Sequence, residues 1–303
     1  MSEVDKIENK ILEWLSKEGY PLEFQVANIF RKFGFPSFQG KYINDYKTNN
    51  PREIDVIAQH TTNVGDSFLR ISYLVECKWT GNKPWVIFTD EFSHIAPSAC
   101  IAQSITSNIA DSIFWLLASD KEVQKLSIFK TPQRPGFNGR QAFSSQNDVV
   151  YSTLQSVISA SYSRKQYYQK NSKISDESLF DGVLIIPIIV IDGKLFETYY
   201  DNDQNKIEIK EREQIRLHWR GSEAWNLHST VDIVTISALT NYVEKLSKDS
   251  LFLLEKMVST FNLIKKCLNE KTVEPIKHLM YSSRGILSLP PILREINENK
   301  NGT

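Results

Sequence analysis

The chain has 303 residues, 41% of them hydrophobic and 11% aromatic, which allows a sizeable buried core and excludes a disordered chain. Its 36 basic and 36 acidic residues cancel, which excludes a globally basic nucleic-acid binder but not a local basic patch. No apolar run approaches the ~20 residues that cross a bilayer, and Cys77, Cys100 and Cys267 are too few and too scattered for a disulfide framework or a zinc site.

The polar, acidic N-terminus reads as neither a secretory signal nor a transit peptide, so a cytoplasmic location without a membrane partner is expected. Ile7, Ile11, Leu12 and Leu15 have helical spacing, ended by Gly19 and Pro21. A second helix runs from Pro21, which suits a first turn, to Gly34. Its stripe is Leu22, Val26, Ile29, Phe30 and Phe33, with Glu23 beside it in the first turn. Residues 37–45 make a weak strand candidate. In 52–60, Ile54, Val56 and Ala58 alternate with Glu53, Asp55 and Ile57, and 68–79 (FLRISYLVECKW) is the strongest strand. The polar residues 61–67 join the two as a hairpin.

Residues 81–146 read as an insertion or mobile flap. It holds a strand candidate at 81–92, a helix over 98–123 and a Pro-, Gly- and Arg-rich loop at 130–141. A long helix over 145–170 follows, capped near Asn147, with Val150, Leu154, Val157, Ile158 and Ser161 facing inward. Residues 181–192 are nearly all apolar, as in a strand buried on both faces. The Asp192-Gly193 turn points to a hairpin partner at 194–201. Shorter strands at 206–211 and 231–237 and helices at 237–247 and 250–269 complete the chain. The predicted division is a domain over 1–215, a C-terminal strand and helices over 216–295 that either pack on it or form a small accessory region, and a disordered tail at 296–303.

In a strand, i and i+2 share a face, so Glu76 and Lys78 point one way and Cys77 the other. The hairpin permits a register that sets Asp55 opposite them. Two neighbouring carboxylates repel unless a cation neutralises them or one takes up a proton. Oxygen donors with an open coordination sphere favour Mg²⁺, with Mn²⁺ able to substitute, and such a metal suits phosphodiester cleavage. The same charges at a sheet rim also arise as a plain ion pair, and Glu23 is favoured by the helix dipole alone. No histidine pair has metal spacing, and neither a phosphate-binding G-x-x-x-x-G-K-[ST] loop nor a G-x-S-x-G elbow is present.

A helix with Glu23, a strand with EIDVIA, a strand with VECKW and then helix and strand resembles the PD-(D/E)XK nuclease superfamily, in its branch of Mrr-type restriction endonucleases and Holliday-junction resolvases. The resemblance implies an α/β, restriction-endonuclease-like αβββαβ core: a mixed central sheet flanked by helices, here with an insertion and a C-terminal helical extension. It implies a Mg²⁺-dependent endonuclease, with restriction or phage defence as its setting. By the same resemblance Asp55 and Glu76 are metal ligands, joined by the backbone carbonyl of Cys77. Lys78 positions or deprotonates the attacking water, Glu23 assists the metal, and Gln155 matches a polar helical residue. Ile54 stands where the family's name has proline. The long stretch after Lys78 leaves the identity of the core helix open; if it is the earlier one, Gln103 replaces Gln155.

Residues 121–173 carry nine Lys/Arg against Glu122 and Asp148, interleaved with aromatics such as Phe137, Tyr162, Tyr167 and Tyr168. Arg134, Arg140, Gln155, Arg164 and Lys165 are therefore the candidates for nucleic-acid contact, with an ordinary solvated helix face as the competing explanation. Trp79 and Trp85 flank a Gly-Asn-Lys-Pro turn and are expected in the core, with base stacking as the alternative. DNA is the expected partner, with RNA also open; a sensor protein that switches the enzyme on would fit a chain of zero net charge, and a single metal site cutting both strands would favour a homodimer. The alternative function is a non-catalytic nucleic-acid-binding or structural module on the same fold.

Overall fold

The computed structural model describes residues 3–17, 19–46, 48–91, 95–144, 148–171, 180–220, 228–280 and 291–293. The elements are α1 (Glu3–Lys17), α2 (Tyr20–Lys32), β1 (Ser37–Asn44), β2 (Pro51–Val64), β3 (Ser67–Trp79), β4 (Trp85–Thr89), α3 (Pro97–Ala102), β5 (Ile105–Asn108), α4 (Ile109–Leu117), α5 (Lys121–Gln124) and β6 (Gly136–Gln141). They continue with α6 (Val149–Asn171), β7 (Gly182–Asp192), β8 (Leu195–Asp201), β9 (Lys206–Arg212), β10 (Gln214–Arg220), β11 (His228–Thr235) and α7 (Leu239–Glu270). The strands form one mixed sheet in the order β1-β2-β3-β7-β11-β10-β6-β4-β8-β9, with β5 added against β7.

The alternation along β7 explains the layers. Ile188 and Val190 join the core under α2, α4 and α7, while Ile189 and Ile191 join the core under α6. A strand covered on both faces needs apolar residues at every position, which is why 182–192 shows no period of two. Pro187 is tolerated because β5 pairs residues 182–185 and β11 pairs 188–191, so the missing N–H falls at the junction between them. β1, β2 and β3 form an antiparallel meander, and β7 runs parallel to β3 from Leu69–Gly182 to Trp79–Asp192.

Several sequence expectations are corrected. β8 is no hairpin partner of β7: it pairs with β4 in parallel and with β9. The β3–β7 pair instead turns a corner and continues as β4–β8, with the Thr80 N–H on the Asp192 carbonyl and the Trp85 N–H on that of Lys194. Gly193 makes the corner passable, because a Cβ there would collide with the Thr80 side chain. The 81–146 region is no flap, since it supplies β4, β5 and β6 to the sheet. The glycine-rich segment read as a loop is β6, where Gly136 and Gly139 leave room for Ile87; a Cβ would lie 2.7 and 2.5 Å from that side chain. The helix expected over 98–123 is α3, β5, α4 and α5, because its isoleucines serve two helices and a strand. The helices expected at 237–247 and 250–269 are the single α7.

The boundary at 215 falls inside β10, and β11 and α7 belong to the same sheet and core as the first half of the chain. The Asn147 cap and the 296–303 tail lie outside the described residues; Asp148 caps α6, accepting from the Tyr151 N–H at 3.2 Å. No described helix is long and apolar enough to cross a membrane.

Candidate active site

The β2–β3 ladder is registered from Val64–Ser67 to Val56–Val75, and Asp55 and Glu76 are the next residues beyond that open end. There the Cys77 N–H donates to Asp55 Oδ2 at 2.6 Å, pinning the carboxylate beside the Glu76–Cys77 peptide. Glu76 is buried and points to the α6 side; its Oε1 accepts from Lys78 Nζ at 3.0 Å and from Ser156 Oγ of α6 at 3.3 Å. Cys77 points the other way, into the core under α2, as alternation requires. Gly19, with φ 80°, and Pro21 start α2 so that Leu22 and Val26 are buried and Glu23, between them, is half-buried toward the site.

The electrostatics show how tightly these groups are grouped. Burial first, and the Glu76 charge second, push the Asp55 carboxyl up to about 7, against the pull of the Cys77 N–H and Lys78. Burial, Glu53 and Glu76 also raise Glu23, with Lys78 opposing. Burial lowers the Lys78 ammonium, yet Glu76 and Asp55 outweigh it and the net shift is upward. Glu23, Asp55, Glu76 and Lys78 therefore sense one another, and the negative charge is only partly compensated by the single lysine.

Among the described residues no three His, Cys, Asp or Glu side chains close into a metal cage. The donor set is two carboxylates, with Glu23 nearby. That suits a hard ion such as Mg²⁺, which keeps several waters and takes one or two protein carboxylates.

The other candidates lie elsewhere. Gln155 is exposed on α6 and its amide donates to Tyr151 Oη at 2.7 Å; its neighbour Ser156 is the α6 residue that touches Glu76. Gln103 ends the short α3 and lines a separate cavity between α3 and β7. Arg134 is paired with Glu91 at 2.9 Å and lies 4.0 Å from the Tyr199 ring, near the β8–β9 end of the sheet. Arg140 is paired with Asp148. Arg164 stacks on Tyr167 and Tyr168 at 4.9 and 4.8 Å, and Lys165 is half-buried beside it. Arg134, Arg140 and Arg164 thus have their partners away from Asp55 and Glu76.

The two tryptophans separate. Trp85 is fully buried, whereas Trp79, expected in the core, is 66% exposed with its ring over Gly81. It follows the last inward-facing residue of β3, where the strand leaves its covering helices. The sequence reading missed Ser156, although its place next to the inward stripe of Leu154, Val157 and Ile158 marked it as within reach of the sheet. No family model, curated protein or solved structure matches the chain.

Proposed function

We propose that this protein is a metal-dependent nuclease whose active site is Asp55, Glu76 and Lys78, with Glu23 in support. The observation that carries the reading is the register of β2 and β3. It puts Asp55 and Glu76 on adjoining strands at the open end of the hairpin, with Asp55 on the Cys77 N–H and Lys78 on Glu76. The order α2–β1–β2–β3–α6–β7, with a three-stranded meander and β7 parallel to β3, further supports a restriction-endonuclease-like core.

A bound Mg²⁺ would supply positive charge to the scissile phosphate and a water of lowered pKa. Asp55 and Glu76 would hold it, and the Cys77 N–H fixes the Asp55 carboxylate in the required orientation. Lys78 is kept as an ammonium by the two carboxylates. A bound ion would take up part of the carboxylates' charge, so that burial would lower the Lys78 pKa and let Nζ take a proton from a water. As an ammonium it instead stabilises the charge that develops on the phosphate oxygens. Ser156 also donates to Glu76 from the α6 side.

The test is cleavage of single- and double-stranded DNA and RNA in Mg²⁺, Mn²⁺ or EDTA, by wild type, Asp55→Asn and Lys78→Ala. Wild type is expected to cut only with metal, and each variant to lose at least a hundredfold in rate while remaining folded. Undiminished cutting by a folded Asp55→Asn protein would remove the site.

A further inference from the structure

At the end of β3 remote from the carboxylates, two arginines meet on one tyrosine. Arg70 Nη1 of β3 donates to Tyr168 Oη of α6 at 2.7 Å, and Arg164 Nη2 of α6 donates to the same oxygen at 3.1 Å. Their guanidinium carbons lie 5.5 and 4.8 Å from the centre of the Tyr168 ring. Arg70, Ser72, Leu74 and Glu76 share a face of β3, which sets Arg70 on the order of 20 Å from Glu76 along the strand. α6 runs back beside it, with Ser156 on Glu76 and Tyr168 on Arg70, a helical span of about 18 Å. The arginine pair is therefore a separate place in the fold from the proposed metal site.

The charge there is the second observation. Neither arginine makes an ion pair among the described residues. Asp181 senses Arg70, yet its Oδ1 accepts from the Phe68 N–H at 2.9 Å and it is not paired with the arginine. A hydroxyl carries no charge to offset two cations held against it. Arg70 Nε donates to Thr61 Oγ1 at 2.9 Å, but no described residue accepts from Arg70 Nη2 or Arg164 Nη1, and Arg164 Nε lacks an acceptor as well. Both side chains are half-buried and so remain within reach of solvent. Arg70 also lies over Phe68 at 4.6 Å and Arg164 over Tyr167 at 4.9 Å. Stacking holds the two planar groups in place before a ligand arrives, so less freedom is lost on binding. Packing accounts for the stacking, but not for two like charges on a single hydroxyl.

We propose that Arg70 and Arg164, brought together on Tyr168, form a phosphate-binding site. A phosphate has enough oxygens and charge to take N–H bonds from both arginines at once, whereas a carboxylate matches one guanidinium fork. The phosphate of a small ester and that of a nucleic-acid backbone present the same chemistry to the pair. The site stands independently of the nuclease reading.

The test is anisotropy of fluorescently labelled adenosine monophosphate and of a labelled oligonucleotide strand, in EDTA, with inorganic phosphate as competitor. Wild type is expected to bind, and inorganic phosphate to displace the probe. Arg70→Gln and Arg164→Gln are each expected to weaken binding about tenfold, and Arg164→Lys, which keeps the charge and loses the fork, several-fold. Arg140→Gln, an arginine paired elsewhere, is expected to bind as wild type does. Equal affinity for the two probes assigns the site to a small ester; a strand bound far more tightly, and lost with the same substitutions, assigns it to a nucleic-acid backbone. Wild type that binds neither probe overturns the proposal, as do folded glutamine variants with unchanged affinity or an Arg140→Gln protein weakened as much as Arg164→Gln. If a glutamine variant fails to fold in urea titration, Arg164→Lys with wild-type affinity overturns it instead. Since no metal is present, none of these results bears on Asp55 and Glu76.

Discussion

Asp55 is the residue at which the proposed function and stability pull in opposite directions. Its carboxyl is pushed from its ordinary 3.8 up to about 7 by burial and by Glu76. The native state therefore holds a proton that the unfolded chain releases between these two values. Where the native state binds more protons, stability falls as pH rises. In EDTA the protein should lose on the order of 3 kcal/mol between pH 4 and pH 7 from this group, tempered because water reaches part of the carboxyl. Glu23, also raised, adds to the same slope. Asp55→Asn keeps an acceptor for the Cys77 N–H and removes the charge, so it should flatten the slope and stabilise the metal-free protein at pH 7.5. Urea titrations of both proteins at pH 5 and 7.5 check this; a variant less stable than wild type at pH 7.5 would show that the carboxylate is already well compensated.

Among the elements, β10 and β11 are joined by a buried polar link. Arg216 and Asp232, almost wholly buried, are paired through two hydrogen bonds. Arg216 Nη1 also donates to the carbonyls of Ser127 and Lys130, and Tyr242 of α7 donates to Asp232 at 2.6 Å. Removing the arginine leaves a buried carboxylate with only the tyrosine, so Arg216→Ala should cost about 3–5 kcal/mol. Arg216→Ala/Asp232→Ala should recover part of that. A loss below 1 kcal/mol in urea unfolding would mean that this end of the sheet opens separately from the rest.

Sequence patterning made α2, β2, β3, α6 and β7 legible, because each has a clear period or a continuous apolar run. Asp55, Glu76 and Lys78 were legible as candidates for the same reason: they lie in or beside the short apolar runs Ile54–Ala58 and Ile71–Cys77. β6 was not, since its glycines are there to make room for Ile87 and resemble turn residues in one dimension. Nor was the break of 98–123 into helix and strand, because isoleucine suits both. Trp79 was misread because composition reports how apolar a residue is and not whether a covering element reaches it.

Across the whole molecule, the sheet joins segments that look independent in sequence. β11 lies against β7, β6 and β4 lie beyond β10, and α7 closes the face that α2 begins. The positive charge of residues 121–173 is spread by the same topology, with Arg134 and Arg140 reaching different partners from Arg164. A chain of zero net charge with no convergent basic groove among its described residues should therefore bind polyanions weakly and by local contacts. The claim on which the rest depends is that Asp55 and Glu76 together hold a divalent ion. Titration of the protein with Mn²⁺, read by the loss of the free-ion electron paramagnetic resonance signal, addresses it without any substrate. Wild type is expected to bind a single ion that Mg²⁺ displaces, and Asp55→Asn and Glu76→Gln are each expected to lose it. Mn²⁺ binding that survives both substitutions in folded protein would contradict the account.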